Sequence, residues 1–154
     1  MIKVLFVCHG NICRSTMAEF VFKDMVRKQG LEDQFYIASA ATSTEEIGND
    51  THYGTKRKLD EMGIPYTKRG AVQMKKKDYN AYDYLLGMDD WNIKNMLRIT
   101  KGDPDEKIHK LLDFSKNARN IADPWYTGNF DETYNDIFEG CTAFLDFLIK
   151  KGIW

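Results

Sequence analysis

The feature that most narrows the possible folds is an apolar run that ends abruptly in a turn. Ile2-Lys3-Val4-Leu5-Phe6-Val7 reads as a strand buried on both faces, the kind found in parallel sheets. Cys8-His9-Gly10-Asn11-Ile12-Cys13-Arg14-Ser15 follows at once. From Ser15 the pattern is helical, with Met17, Phe20, Val21 and Val26 close to one face. A strand, a tight turn and a helix start bring unpaired backbone N–H groups and the positive end of the helix dipole to one point, which suits an anion. Gly10 and Asn11 give the turn residues that tolerate unusual backbone angles.

Two reactive groups sit in this turn, Cys8 at its mouth and Arg14 at its end. A ring of N–H groups beside a guanidinium favours the thiolate. The guanidinium fork fits two oxygens of a tetrahedral oxyanion. Ser15 is placed to offer its hydroxyl to the sulfur. The pattern points to phosphoryl chemistry through cysteine, with the backbone from His9 to Ser15 as the cradle. A Cys and an Arg six positions apart are common by chance, and it is the strand–turn–helix junction that gives the pair weight. Zinc binding by Cys8, His9 and Cys13 is the weaker reading, because the third cysteine, Cys141, lies on a helix face far along the chain. The reading calls for no metal and no cofactor.

Composition narrows the class further. A chain of 154 residues is long enough for one domain with a real core, spanning 1–154. Net charge is −1, with 22 basic and 23 acidic residues interspersed, which argues against nucleic acid or a membrane surface as partner. Lys56-Arg57-Lys58 and Lys75-Lys76-Lys77 read as solvated faces. Three cysteines, no signal-like start and no apolar run of membrane-spanning length imply a cytoplasmic protein. A monomer or weak dimer is expected.

Along the chain, Gln29-Gly30 stops the first helix and Phe35 to Ser39 reads as a second strand. Asp50 or Thr51 is expected to cap a helix running to Met62. Tyr82 to Met88 reads as a third strand, followed by a helix capped by Asp90, with Trp91, Met96 and Leu97 as packing residues. Lys107 to Leu112 fits a fourth strand. His52 and His109 read as structural histidines. The last helix, capped by Asp131, repeats Tyr134, Ile137, Phe138, Cys141, Phe144, Leu145 and Leu148 at helical spacing and places Cys141 in the core. Strands alternating with helices imply an α/β, doubly wound open sheet of parallel strands with helices on both faces. Such sheets bind ligands beyond the strands' carboxyl ends, where the Cys8 turn lies.

Cys8 to Ser15 with its preceding strand resembles the phosphate-binding loop of the low-molecular-weight protein tyrosine phosphatases. Ala122-Asp123-Pro124-Trp125-Tyr126-Thr127-Gly128 resembles that family's general-acid loop, and the resemblance covers essentially the whole chain. It implies four strands in the order 2-1-3-4. It also implies a phosphocysteine on Cys8, phosphate binding by Arg14, and Asp123 as general acid and then base. His9, Gly10, Asn11, Ile12, Cys13 and Ser15 then line the substrate cradle, with Trp125 and Tyr126 against the substrate ring. Ser39 corresponds to a serine that holds Asn11, and Cys13 to a cysteine that pairs with the nucleophile on oxidation. Glu45 stands about where mammalian members carry an aromatic residue, so one cleft wall is expected to be acidic. The segment Lys68 to Gln73 departs from the family, many of whose members carry a histidine and arginines there.

Three readings remain open. The first is a phosphatase acting on phosphotyrosine proteins. Within the phosphatases, relatives acting on phosphoarginine carry threonine at the Ile12 position, and an apolar Ile12 suits a phenyl ring better. The second is an arsenate reductase of the same fold, which needs two further cysteines where this chain has only Cys141. The third is a non-catalytic phosphate-binding module, which would tolerate loss of Cys8 or Asp123.

Overall fold

A computed structural model describes residues 1–152. Strands β1 (Ile2–Cys8), β2 (Phe35–Ala41), β3 (Tyr84–Gly87) and β4 (Ile108–Lys110) form one parallel sheet in the order β2-β1-β3-β4. Six helices flank it: α1 (Arg14–Lys28), α2 (Tyr53–Glu61), α3 (Asp78–Ala81), α4 (Asp90–Thr100), α5 (Pro124–Thr127) and α6 (Phe130–Lys151). The doubly wound sheet expected from the sequence is the one observed.

β1 is central, and its alternating side chains divide the core. Val4, Phe6 and Cys8 join the layer that includes Met17 and Phe22 of α1 and Ile137 and Phe144 of α6. Leu5 and Val7 join Met74, Tyr79, Met96 and Ile108 on the opposite face. Phe22 ties the first layer together, with ring centroids 5.7 Å from Phe6, 5.5 Å from Phe35 and 5.4 Å from Phe144. Burying each such side chain contributes roughly 1.5–3 kcal/mol. The run reads as continuous apolar sequence because both of its faces are covered.

Several sequence-based expectations need correction. Helix caps fall one or two residues from the expected positions, because backbone geometry selects the oxygen that reaches the free N–H groups. His52, not Asp50 or Thr51, caps α2: its Nδ1 accepts from the N–H of Gly54 at 3.0 Å. Asp50 instead binds Lys56 Nζ at 2.6 Å and the N–H groups of Thr51 and Arg69. Asp89 replaces Asp90 as cap of α4, and Asn129 replaces Asp131 as cap of α6. The third and fourth strands are shorter than expected, and Leu111 and Leu112 lie in a 3-10 turn, Leu111–Phe114. Trp91, Leu97 and Phe138 are exposed, whereas Met96 and Cys141 are buried as expected. Lys58 is buried rather than solvated, with its ammonium 2.8 Å from Asp131 and 3.3 Å from Glu61. Among the described residues no helix is long and apolar enough to cross a membrane.

α6 approaches the 3-10 turn closely at Gly140, where an added Cβ would stand 2.6 Å from Cγ of the fully buried Leu111. Gly140→Ala should therefore lower stability by about 1–3 kcal/mol, the usual cost of overpacking. Urea denaturation checks this, and an unchanged midpoint would show that the helix can shift away.

Candidate active site

The strand–turn–helix junction puts Cys8 at the carboxyl end of β1 and starts α1 at Arg14. Asn11 adopts φ 60°, a left-handed conformation rare outside glycine. That conformation turns its N–H toward the Cys8 sulfur at 3.3 Å. Asn11 is fully buried, and its amide uses every hydrogen bond it can form. Nδ2 donates to Ser15 Oγ at 2.7 Å and to Ser39 Oγ at 3.0 Å. Oδ1 accepts from Arg69 Nη2 at 2.6 Å and from the Val72 N–H at 3.2 Å. A backbone N–H can only donate, so Val72 sets which end of the amide is oxygen. Ser39 Oγ in turn donates to Glu19 Oε1 at 2.5 Å. Ser15 Oγ lies 3.1 Å from Cys8 Sγ and already accepts from Asn11, which leaves its own proton for a thiolate.

Arg14 is 2 % exposed and bridges three parts of the chain. Its Nη1 donates to Asp89 Oδ2 at 2.6 Å and to the Ile121 carbonyl at 2.9 Å, and its Nη2 lies 3.4 Å from Asp123 Oδ2. Burial works against its charge, but Cys8, Asp89 and Asp123 together outweigh that and hold the guanidinium more firmly protonated than usual. Its Nε is buried without a protein partner. Asp89 and Asp123 each use their other oxygen to cap a helix, Asp89 through the Asn92 N–H at 2.7 Å and Asp123 through the Trp125 N–H at 3.0 Å.

Cys8 and Asp123 open into one cleft, which His9, Gly10, Ile12, Cys13, Glu45 and Glu46 also line, with Trp125 and Tyr126 at its mouth. Both mouth aromatics are exposed, Tyr126 by 81 %. Behind them the His52 ring packs against Phe130 at 5.4 Å and Trp125 at 5.6 Å, while the His52 backbone N–H donates to the Ile12 carbonyl at 2.8 Å. Burial, with Cys8 and Asp123 nearby, pushes the Cys13 thiol up to about 12, so it keeps its proton at neutral pH. Ser39 lies on β2 paired with Phe6, two residue pairs before Cys8, and Cys141 lies on α6 in the core. Among the described residues no group of three or more His, Cys, Asp or Glu side chains could hold a metal ion.

Sequence reasoning missed Asp89, Glu19, Arg69 and Val72. Asp89 was within reach, since it follows β3 at the sheet's carboxyl edge. Glu19 was marked only by its place between Ala18 and Phe20 on a buried face. Arg69 and Val72 meet Asn11 across about sixty residues of chain, and no local periodicity signals that contact. Arg69 also donates from Nη1 to the Asn11 carbonyl at 3.2 Å. Arg69→Ala, which removes both bonds to the loop, should weaken binding of inorganic phosphate by about tenfold or more with circular dichroism unchanged. Calorimetric titration checks this, Arg69→Lys should recover part of the affinity, and full affinity in the alanine variant would remove Arg69 from the loop's support.

Comparison with known proteins agrees with this geometry. The family model described as low molecular weight phosphotyrosine protein phosphatase matches residues 3–152. The low molecular weight protein-tyrosine-phosphatase YfkJ of Bacillus subtilis is 39 % identical, with 98 % of each chain covered. Its crystal structure superposes with a TM-score of 0.94 over 98 % of this chain and 96 % of that one. The low molecular weight protein tyrosine phosphatase SP-PTP of Streptococcus pyogenes is 40 % identical, with a TM-score of 0.84 over 97 % of this chain and 93 % of that one. A drosophila arginine phosphatase is 30 % identical, with a TM-score of 0.84 over 95 % of this chain and 97 % of that one. The chain belongs to the low-molecular-weight protein tyrosine phosphatase family of hydrolases.

Proposed function

We propose that this enzyme hydrolyses phosphotyrosine in proteins, and small aryl phosphates, through a phosphocysteine on Cys8. One observation carries the reading: a single buried guanidinium, Arg14, is bonded to Asp89 and within reach of Asp123 beside the loop that holds Cys8. The Cys8 thiolate attacks phosphorus in line, and the bond to the tyrosyl oxygen breaks as Asp123 gives that oxygen a proton. Arg14, through its unpartnered Nε and the Nη2 only loosely held by Asp123, takes the equatorial oxygens together with the loop N–H groups. Asp123, now a carboxylate, removes a proton from water as that water attacks phosphorus. The S–P bond breaks and Cys8 leaves as the thiolate that Ser15 and the Asn11 N–H receive. Ring contacts come from Ile12 below and from Trp125 and Tyr126 at the mouth.

A phosphoarginine substrate is the second reading, favoured by the likeness to the drosophila arginine phosphatase. Ile12 favours tyrosine, since its apolar side chain gives a guanidine no hydrogen-bond partner. Arsenate reduction lacks support: beyond the loop the chain has only Cys141, whose thiol is fully buried and held protonated by that burial. A redox role for Cys13 belongs to the same proposal. Peroxide would convert the Cys8 thiolate to a sulfenic acid, and the Cys13 sulfur would displace water from it to close a disulfide. Free, buried thiols at all three cysteines suit action in the cytoplasm.

Cys8→Ser should abolish turnover of p-nitrophenyl phosphate while leaving phosphate binding and the fold intact. Asp123→Ala should cost roughly 10²–10⁴-fold in kcat for phosphotyrosine, and less for aryl phosphates whose leaving groups need no proton. An equal loss across leaving groups would remove Asp123 from the acid role, and a serine variant that still turns over would end the covalent mechanism.

A further inference from the structure

The floor and the rim of the cleft carry opposite charge. The floor is the N–H cradle with Arg14. Of the residues that line the cleft above it, Glu45, Glu46 and Asp123 carry carboxylates, and none is a lysine or arginine. Arg14 itself is held by Asp89 at 2.6 Å, with Asp123 3.4 Å away. A phosphate group is welcome at the bottom, but whatever carries it must pass an acidic mouth.

The two glutamates stand on a braced loop. Its near end is tied to the phosphate loop, with the Thr42 N–H bonded to the Cys8 carbonyl at 2.9 Å and Ser43 Oγ to the His9 carbonyl at 2.9 Å. Its far end pairs with the connection after α2, where the Gly48 N–H meets the Ala71 carbonyl at 2.9 Å. Glu45 Oε2 lies 2.8 Å from His9 Nε2, and Glu46 Oε2 accepts from Asn49 Nδ2 at 2.5 Å while its stem packs over Gly10. The Asn49 amide is a neutral partner, unlike a lysine or arginine. Trp125 and Tyr126 line the same cleft and are exposed, and the faces of such rings can bind a cation.

We propose that Glu45 and Glu46 make this cleft select phosphotyrosine flanked by lysine or arginine, and disfavour acidic flanks. The inference rests on the tyrosine phosphatase reading. The phosphate seats on Arg14 and the loop, the tyrosine ring lies between Ile12 and the mouth aromatics, and the flanking cation meets the glutamate wall. Because the wall touches the flank and not the reacting atoms, the preference belongs in KM and not in kcat.

The test uses three phosphotyrosine peptides that differ only in having arginine, alanine or aspartate on either side of the tyrosine, with a phosphoarginine peptide alongside. At low ionic strength, kcat/KM for the arginine peptide should exceed that for the alanine peptide by about two- to fivefold, the size of an exposed ion pair, and the aspartate peptide should fall below both. The spread should shrink as salt approaches 1 M, where the screening length is about 3 Å. In Glu45→Gln/Glu46→Gln the arginine-to-alanine ratio should fall to one. Equal rates for all three peptides at low salt, or a double variant that keeps the wild-type ratio, would overturn the inference and leave the tyrosine phosphatase reading standing. Wild-type enzyme that hydrolyses only the phosphoarginine peptide would overturn that reading and this inference with it.

Discussion

The site depends on one amide. Asn11 holds a left-handed backbone conformation that a non-glycine residue adopts only at a cost of order 1–3 kcal/mol, and four hydrogen bonds from its side chain hold it there. Those bonds reach α1 through Ser15, β2 through Ser39, and the connection after α2 through Arg69 and Val72. The loop is thus clamped from three directions before any ligand arrives. Bonds of this kind fix the backbone of a loop in advance, which is the condition for strong electrostatic stabilisation of developing charge. A buried amide with one bond missing would be costly, so the clamp holds as a unit.

Arg14 plays the complementary part on the other side of the loop. A lone guanidinium at 2 % exposure would be strongly unfavourable, and two carboxylates and a carbonyl compensate it. The Ile121 carbonyl joins Arg14 to the segment before Asp123, and the Ile121 N–H joins that segment to Met88 after β3. The sheet's carboxyl edge therefore positions the Cys8 loop and the segment leading to Asp123 through shared bonds, although more than a hundred residues separate them in the chain.

How much the sequence disclosed follows from the range of each interaction. β1, the loop and α1 form one contiguous stretch whose pattern is local, and they could be read directly. The order of the sheet, and any reason to bring Asp123 to the Cys8 loop, needed the resemblance to a family, because spacing alone does not pair distant segments. Caps were misplaced by one or two residues, as at His52 and Asn129, because several polar residues compete for the same N–H groups. Lys58 looked like part of a solvated run until Asp131 and Glu61 came to meet it. Arg69 could not be found at all from its neighbours: it lies in an irregular stretch, and its partner is Asn11.

Asp89 divides its two oxygens between separate tasks, one closing the start of α4 and the other neutralising Arg14. An architect would call it a shared wall. Any substitution there is felt at once in the helix and in the anion pocket, so variation at this position cannot adjust the durability of the fold independently of its chemistry. Engineering that seeks a tougher scaffold has freedom elsewhere on α4, at exposed Trp91 or Leu97, but not at the residue that starts the helix.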